Sequence, residues 1–195
     1  ASVYKGKALS TYGDVSTLSF HATKLFHTIE GGACIVKDKA ISDKLDLIKR
    51  FGHCGDTHYC LGINAKQDEF NAAMGLANFA HLDEIKAARK HTSELYDSLL
   101  NGKLRRPKTQ DGLEYNYAYY PVVFESEKEL LAAFDRLAKI DVFPRRYFYP
   151  TLNKLPYLTA QYACPVSEDI TTRIACLPLY VGLADADVEK ICGVL

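Results

Sequence analysis

From residue 66 to residue 100, apolar side chains recur at three- and four-residue intervals. Phe70, Ala73, Met74 and Ala77 make one stripe, and Leu82, Ile85, Leu95 and Leu99 make another. That is the period of a helix with one face against a core. An unbroken helix of that length is unusual in a globular domain. The pattern therefore predicts two helices, or a bend near His81-Leu82-Asp83, with Asn101-Gly102 as the stop. Upstream, Ser42 is placed to cap a helix carrying Leu45, Leu47, Ile48 and Phe51, which Gly52 ends in a left-handed turn. The polar, glycine-punctuated stretch 53–62 reads as a loop, and 17–21 and 33–37 read as two strands.

Beyond Pro107 the pattern changes. Residues 117–125 read as a strand, and Ser126 with Glu129 forms a capping box that opens a helix through Lys139. Residues 140–144 and 176–178 read as short strands, and Asp185 is placed to cap a last helix through Val188, Ile191 and Cys192. This is the order of a compact α+β domain with a small sheet. The chain is accordingly expected to divide into residues 1–85 and residues 86–195.

Composition narrows the functional classes. Of 195 residues, 48% are hydrophobic and 25% charged, and the net charge is zero, as in an ordinary water-soluble domain. The absence of a basic block argues against a nucleic-acid partner, and the absence of an apolar run of ~20 residues argues against a membrane span. Cys34, Cys54, Cys60, Cys164, Cys176 and Cys192 are scattered, several in apolar contexts, and read as free, buried thiols in a cytoplasmic protein. His53, Cys54, His58 and Cys60 are four potential metal ligands within eight residues, but their spacing matches no usual ligand pairing, so no metal is expected.

Lys24 lies on the loop between the two early strands. A lysine amine on such a turn can be held partly away from water and act as a nucleophile, whereas most loop lysines are solvated surface charges. The motif around it is more specific. Ser19-Phe20-His21-Ala22-Thr23-Lys24 followed by Glu30-Gly31-Gly32-Ala33 resembles the lysine signature of the DegT/DnrJ/StrS family, pyridoxal-phosphate aminotransferases of nucleotide-linked keto-sugars. The resemblance extends to Tyr4-Lys5-Gly6-Lys7, Tyr12-Gly13-Asp14, the stretch 62–73 containing Asn64, Arg145-Arg146-Tyr147-Phe148-Tyr149-Pro150, and Leu177-Pro178-Leu179-Tyr180.

What the resemblance implies is a mixed α/β to α+β chain, the C-terminal part of the fold type I architecture of pyridoxal-phosphate-dependent transferases. Residues 1–85 would be a remnant of the large cofactor-binding domain and residues 86–195 the small C-terminal domain. In the family a larger N-terminal portion precedes the equivalent of Tyr4. It supplies the glycine-rich phosphate loop, an aromatic over the cofactor ring and an aspartate at the pyridine nitrogen. The chain is thus expected to be the C-terminal half of a longer enzyme. Lys24 would bond the cofactor pyridoxal 5′-phosphate, Ser19 would donate to its phosphate, and Asn64 would reach the cofactor phosphate of the second subunit in a homodimer. Arg146, Tyr147 and Tyr149, beside Arg145, would face the nucleotide-sugar substrate. Family dehydratases carry histidine in place of the lysine, so Lys24 implies transamination, of a 4-keto-6-deoxy sugar with glutamate as the amino-acid donor. Gly31 and Gly32 read as positions of positive φ or close backbone approach. The competing reading is a non-catalytic fragment or interaction module without a complete cofactor pocket.

Overall fold

The computed structural model describes residues 2–160 and 162–195. Its elements in chain order are β1 (Val3–Tyr4), β2 (Lys7–Ala8), β3 (Val15–Ser19), β4 (Gly32–Val36), α1 (Lys39–Lys49), β5 (His53–Cys54), β6 (Thr57–His58), α2 (Glu69–Phe79), α3 (Leu82–Leu100), β7 (Leu113–Glu114), β8 (Tyr120–Val123), α4 (Glu127–Ala138), α5 (Pro165–Arg173), β9 (Ile174–Leu177) and α6 (Asp185–Val194). The chain forms two compact units, Ala1–Glu84 with Asp111–Asn116 and Ile85–Gln110 with Tyr117–Leu195, so the division falls inside α3.

In the second unit β8 and β9 pair antiparallel, with Tyr120 opposite Leu177 and Val122 opposite Ala175. Bridges from Arg105 to Val123 and from Arg145 to Cys176 widen the ladder. Against it pack Tyr96 and Leu100 of α3, Leu130, Ala133 and Leu137 of α4, and Val188, Ile191 and Cys192 of α6, in one buried cluster. Each fully buried leucine of this kind contributes about 1.5–3 kcal/mol. The buried phenols are satisfied: Tyr96 donates to the Pro178 carbonyl (3.1 Å) and Tyr120 to Asp97 Oδ1 (2.7 Å). Burial holds both well above the ordinary tyrosine pKa.

The first unit has a different interior. Among the described residues, none of its large hydrophobic side chains is buried. The stripe expected to face a core instead leaves Phe70 88% exposed. What α2 turns inward is Gly75, where a Cβ would come within 2.7 Å of the Thr28 methyl, so close approach of backbone selects the face. Three antiparallel sheets complete the unit: β1 between β2 and β7, β3 with β4, and β5 with β6. The return of β7 to β1 is carried by two backbone pairs and has no apolar pattern to announce it.

Several local expectations need correction. The cap of α1 is Asp38, which accepts from the Ile41 amide at 3.0 Å; Ser42 lies inside the helix, its amide bonded to the Asp38 carbonyl. The helix does end on left-handed Phe51 and Gly52, with the Gly52 amide on the Leu47 carbonyl. Residues 53–62 contain the β5–β6 hairpin rather than loop alone. The long helical stretch is two helices, α2 and α3, as the pattern predicts. Ser126 caps α4 through the Glu129 amide (3.2 Å), while the Glu129 carboxylate accepts from the Glu125 amide. Residues 140–144 are not a strand: Asp141 is left-handed, the Val142 amide returns to the Leu137 carbonyl, Pro144 lacks a donor, and pairing is confined to Arg145. Asp185 does not cap α6. Its carboxylate lies 3.0 Å from His91 Nε2, and Ala184 takes the cap position without a side-chain bond.

All six cysteines are free, but only Cys192 is buried; Cys34, Cys54 and Cys60 are exposed. The expectation of buried thiols fails in the first unit because that unit lacks an apolar interior. Burial pushes the half-buried Cys176 thiol up to about 11, which keeps it protonated and unreactive at neutral pH. Among the described residues, no helix is long and apolar enough to cross a membrane.

Candidate functional site

The β3–β4 ladder runs from Val15 opposite Val36 to Ser19 opposite Gly32. A Cβ on Gly32 would come within 2.6 Å of the Leu18 carbonyl, which explains glycine at that rung. Beyond it the Phe20 amide donates to Gly31 O (2.8 Å) and the Thr28 amide to Phe20 O (2.9 Å), closing the neck of a loop that carries Lys24. The strand therefore stops before the lysine, as any shared contact of Ser19 and Lys24 requires. Ser19 is exposed at the open end of the ladder.

Inside the loop the Lys24 amide donates to His21 O (2.9 Å), making a tight turn. The Thr23 amide donates to His21 Nδ1 (3.2 Å), and the Thr23 hydroxyl lies 2.9 Å from the same nitrogen. Nδ1 is thus an acceptor, the ring proton sits on Nε2, and Nε2 faces Glu30 Oε1 at 3.6 Å. Lys24 is half-buried, and its Nζ has no hydrogen-bond or ion-pair partner among the described residues.

The return limb of the loop rests on α2. Thr28, only 6% exposed, donates its hydroxyl to Glu30 O (2.6 Å) and lies 3.3 Å from Gln67 Nε2. Gln67 Nε2 also donates to Glu30 O (3.2 Å), and Asn78 Nδ2 to His27 O (3.0 Å). Phe26 packs edge-on against Phe20 and Phe79 at 5.0 and 6.1 Å. A Cβ on Gly31 would strike Gln67 Oε1 at 2.6 Å. Sequence reading missed Gln67, Thr28 and Asn78. One signal was present: Asn78 is a polar residue within the apolar run Leu76-Ala77-Asn78-Phe79.

Asn64 is in the same unit, on a segment laced to the end of α1 by the Ile63 amide on Ile48 O (2.8 Å) and the Ala65 amide on Lys49 O (2.9 Å). It bridges Arg50 through its backbone, and the residue is exposed to solvent.

Tyr147, Tyr149 and Arg146 form a cluster of the second unit. Tyr147 stacks obliquely on Tyr119 (5.3 Å) and on Phe148 (4.2 Å). Burial, reinforced by the Tyr147 phenol, raises the Tyr119 pKa. Arg146 does not present an open fork: its Nη2 donates to Glu127 Oε1 (2.6 Å) and Thr172 O (2.8 Å). Its guanidinium lies 3.6 Å from the centre of the half-exposed Tyr149 ring. The β5–β6 hairpin pairs His53 with His58, ring centres 5.2 Å apart, but among the described residues no three metal-binding side chains converge.

The structure superimposes on the aminotransferase TlmJ from Streptoalloteichus hindustanus with a TM-score of 0.92 at 26% identity, covering 100% of this chain and 54% of that one. The fold is thus part of that of a pyridoxal-phosphate-dependent aminotransferase. The model of the DegT/DnrJ/EryC1/StrS aminotransferase family matches residues 1–195, and the chain belongs to that family. It is 34% identical over 194 residues to a dTDP-4-amino-4,6-dideoxy-D-glucose transaminase of Shigella dysenteriae, covering 94% of this chain and 52% of the relative. It is 31% identical to a GDP-perosamine synthase of Vibrio cholerae, covering 96% and 53%. The chain spans about half the length of the curated relatives it matches.

Proposed function

We propose that this chain is the lysine-bearing half of a pyridoxal-phosphate-dependent aminotransferase that aminates a nucleotide-linked 4-keto-6-deoxy sugar with glutamate as donor. The observation that carries the reading is the unpartnered, half-buried Lys24 amine on a loop closed by its own backbone, in a chain of this family. The residues fit the cofactor: an amine free to bond its aldehyde and, at the ladder end, a serine hydroxyl exposed to donate to its phosphate. When bound, pyridoxal 5′-phosphate supplies the aldehyde and the electron sink. Lys24 Nζ then holds and returns the proton at the reacting carbon. The loop fixes where that nitrogen can reach. Residues 1–85 belong to the cofactor-binding domain in this reading, and residues 86–195 to the small domain.

Tyr147 and Tyr149 contact the nucleotide-sugar, and Arg146, turned inward, holds the Tyr149 ring. The test uses the polypeptide carrying the whole family fold. After borohydride reduction with cofactor, the pyridoxyl mass is expected on the Lys24 peptide, and Tyr149→Ala should raise KM for the sugar nucleotide while leaving that label intact. A label on another lysine would overturn the assignment, and an unchanged KM would remove Tyr149 from the sugar site.

Asn64 serves the neighbouring subunit of a homodimer. Its exposure supports this, as does its neutral amide, which can donate to an anion without adding charge. Mixed dimers of Asn64→Ala and Lys24→Ala subunits should regain activity, because one of the two sites then has both residues intact. Verified mixed dimers without activity would contradict sharing across the interface. Six free thiols support a reducing cytoplasmic location, which cell fractionation would check.

A further inference from the structure

We infer that Gln67 and Asn78 are positioning residues that hold the Lys24 loop against α2 and thereby set the reach of the lysine amine; the inference rests on the reading of Lys24 above. The loop has no secondary structure of its own between its neck and Ile29. Yet its return limb is held at two carbonyls, His27 O by Asn78 and Glu30 O by Gln67. The two amides are 11 positions apart in sequence and lie at opposite ends of α2, one just before its cap at Asp68 and one in its last turn. Two widely spaced anchors fix orientation as well as position. Gly31 and Gly75 mark the two places where the contact is too close for a Cβ, on Gln67 and on Thr28 respectively. Backbone, glycine and amide thus agree on one docked arrangement.

The chemistry of the anchors matters. A neutral amide donates to a carbonyl without adding a charge to the loop. A glutamate at position 67 would lose the donor and face the Glu30 carbonyl with a second acceptor. Gln67 also satisfies Thr28, a buried hydroxyl whose own proton is committed to Glu30 O. Loss of Gln67 therefore loosens two contacts of the return limb at once.

The experiment uses Gln67→Met, which keeps length and removes the donor, Gln67→Glu, which keeps shape and reverses one polarity, and Asn78→Leu. All are made in the polypeptide carrying the whole family fold. Hydrogen exchange without cofactor reads the loop directly through the amides of Phe20, Lys24 and Thr28. Each variant should speed their exchange about tenfold or more, leave β8 and β9 unchanged, and lower kcat with KM for the sugar nucleotide nearly constant. Unchanged loop exchange in both Gln67→Met and Asn78→Leu would overturn the anchoring. Faster exchange with unchanged kcat would overturn the positioning role. Failure of the unsubstituted protein to take a pyridoxyl label on Lys24 would sink the functional reading itself, a result separate from the exchange measurements.

Discussion

Lys24→Ala, in the polypeptide carrying the whole family fold, is expected to lower steady-state transamination by about 10⁴-fold or more, because in the proposed reading nucleophile and proton carrier disappear together. The side chain is half-buried and has no partner among the described residues, so its removal should leave the melting temperature within the range of ordinary surface changes. This separates a chemical loss from a folding loss. Lys24→Arg should be nearly as damaging, since a guanidinium keeps the charge but is never deprotonated near neutral pH. Initial rates with glutamate and a keto-sugar nucleotide, beside a thermal melt, make the check. Residual activity above about one per cent of the parent rate would mean that another group supplies the proton transfer.

The same loop shows what a sequence can disclose. The break between α2 and α3 was legible because the apolar pattern runs longer than one globular helix usually does, and it falls beside the expected bend near His81-Leu82-Asp83. Gly31 and Gly32 were readable as sites of close approach, and a Cβ at either would indeed collide. The family was legible through the motif that flanks Lys24. Gln67 and Asn78 were not, because they act on carbonyls 37 and 51 residues away, and no local pattern encodes which carbonyl an amide will find. The partners of Arg146 were equally illegible: Glu127 and the Thr172 carbonyl, which both accept from its Nη2, lie 19 and 26 residues away. The apolar stripe of α2 misled for a related reason. Periodicity reports that a face is apolar, and the first unit leaves that face exposed.

That exposure leads to the second large effect. The 195-residue chain by itself is expected to bind pyridoxal 5′-phosphate weakly and to show no turnover. A phosphate dianion needs several converging donors, and in the proposed reading Ser19 and the Asn64 of a second subunit would supply only part of the set. The architecture of the first unit adds to the deficit. Leu61, Phe70, Leu76 and Phe79 are all largely exposed, and the β3–β4 ladder has only two strands, with both edges unpaired. The second unit is built otherwise, with Tyr96, Tyr120, Leu130 and Leu137 all fully buried. Hydrogen exchange on the isolated chain should therefore show slow amides in β8, β9 and α4 and fast ones in β3, β4 and α2. Leu137→Ala should cost the second unit about 2–5 kcal/mol and abolish that contrast, since a leucine with no exposed surface leaves a cavity when cut back. Titration with cofactor followed by an assay with glutamate and a keto-sugar nucleotide completes the test. Tight stoichiometric binding with turnover by the isolated chain would show that its own residues suffice, and the reading of Lys24 as half of a larger site would fall.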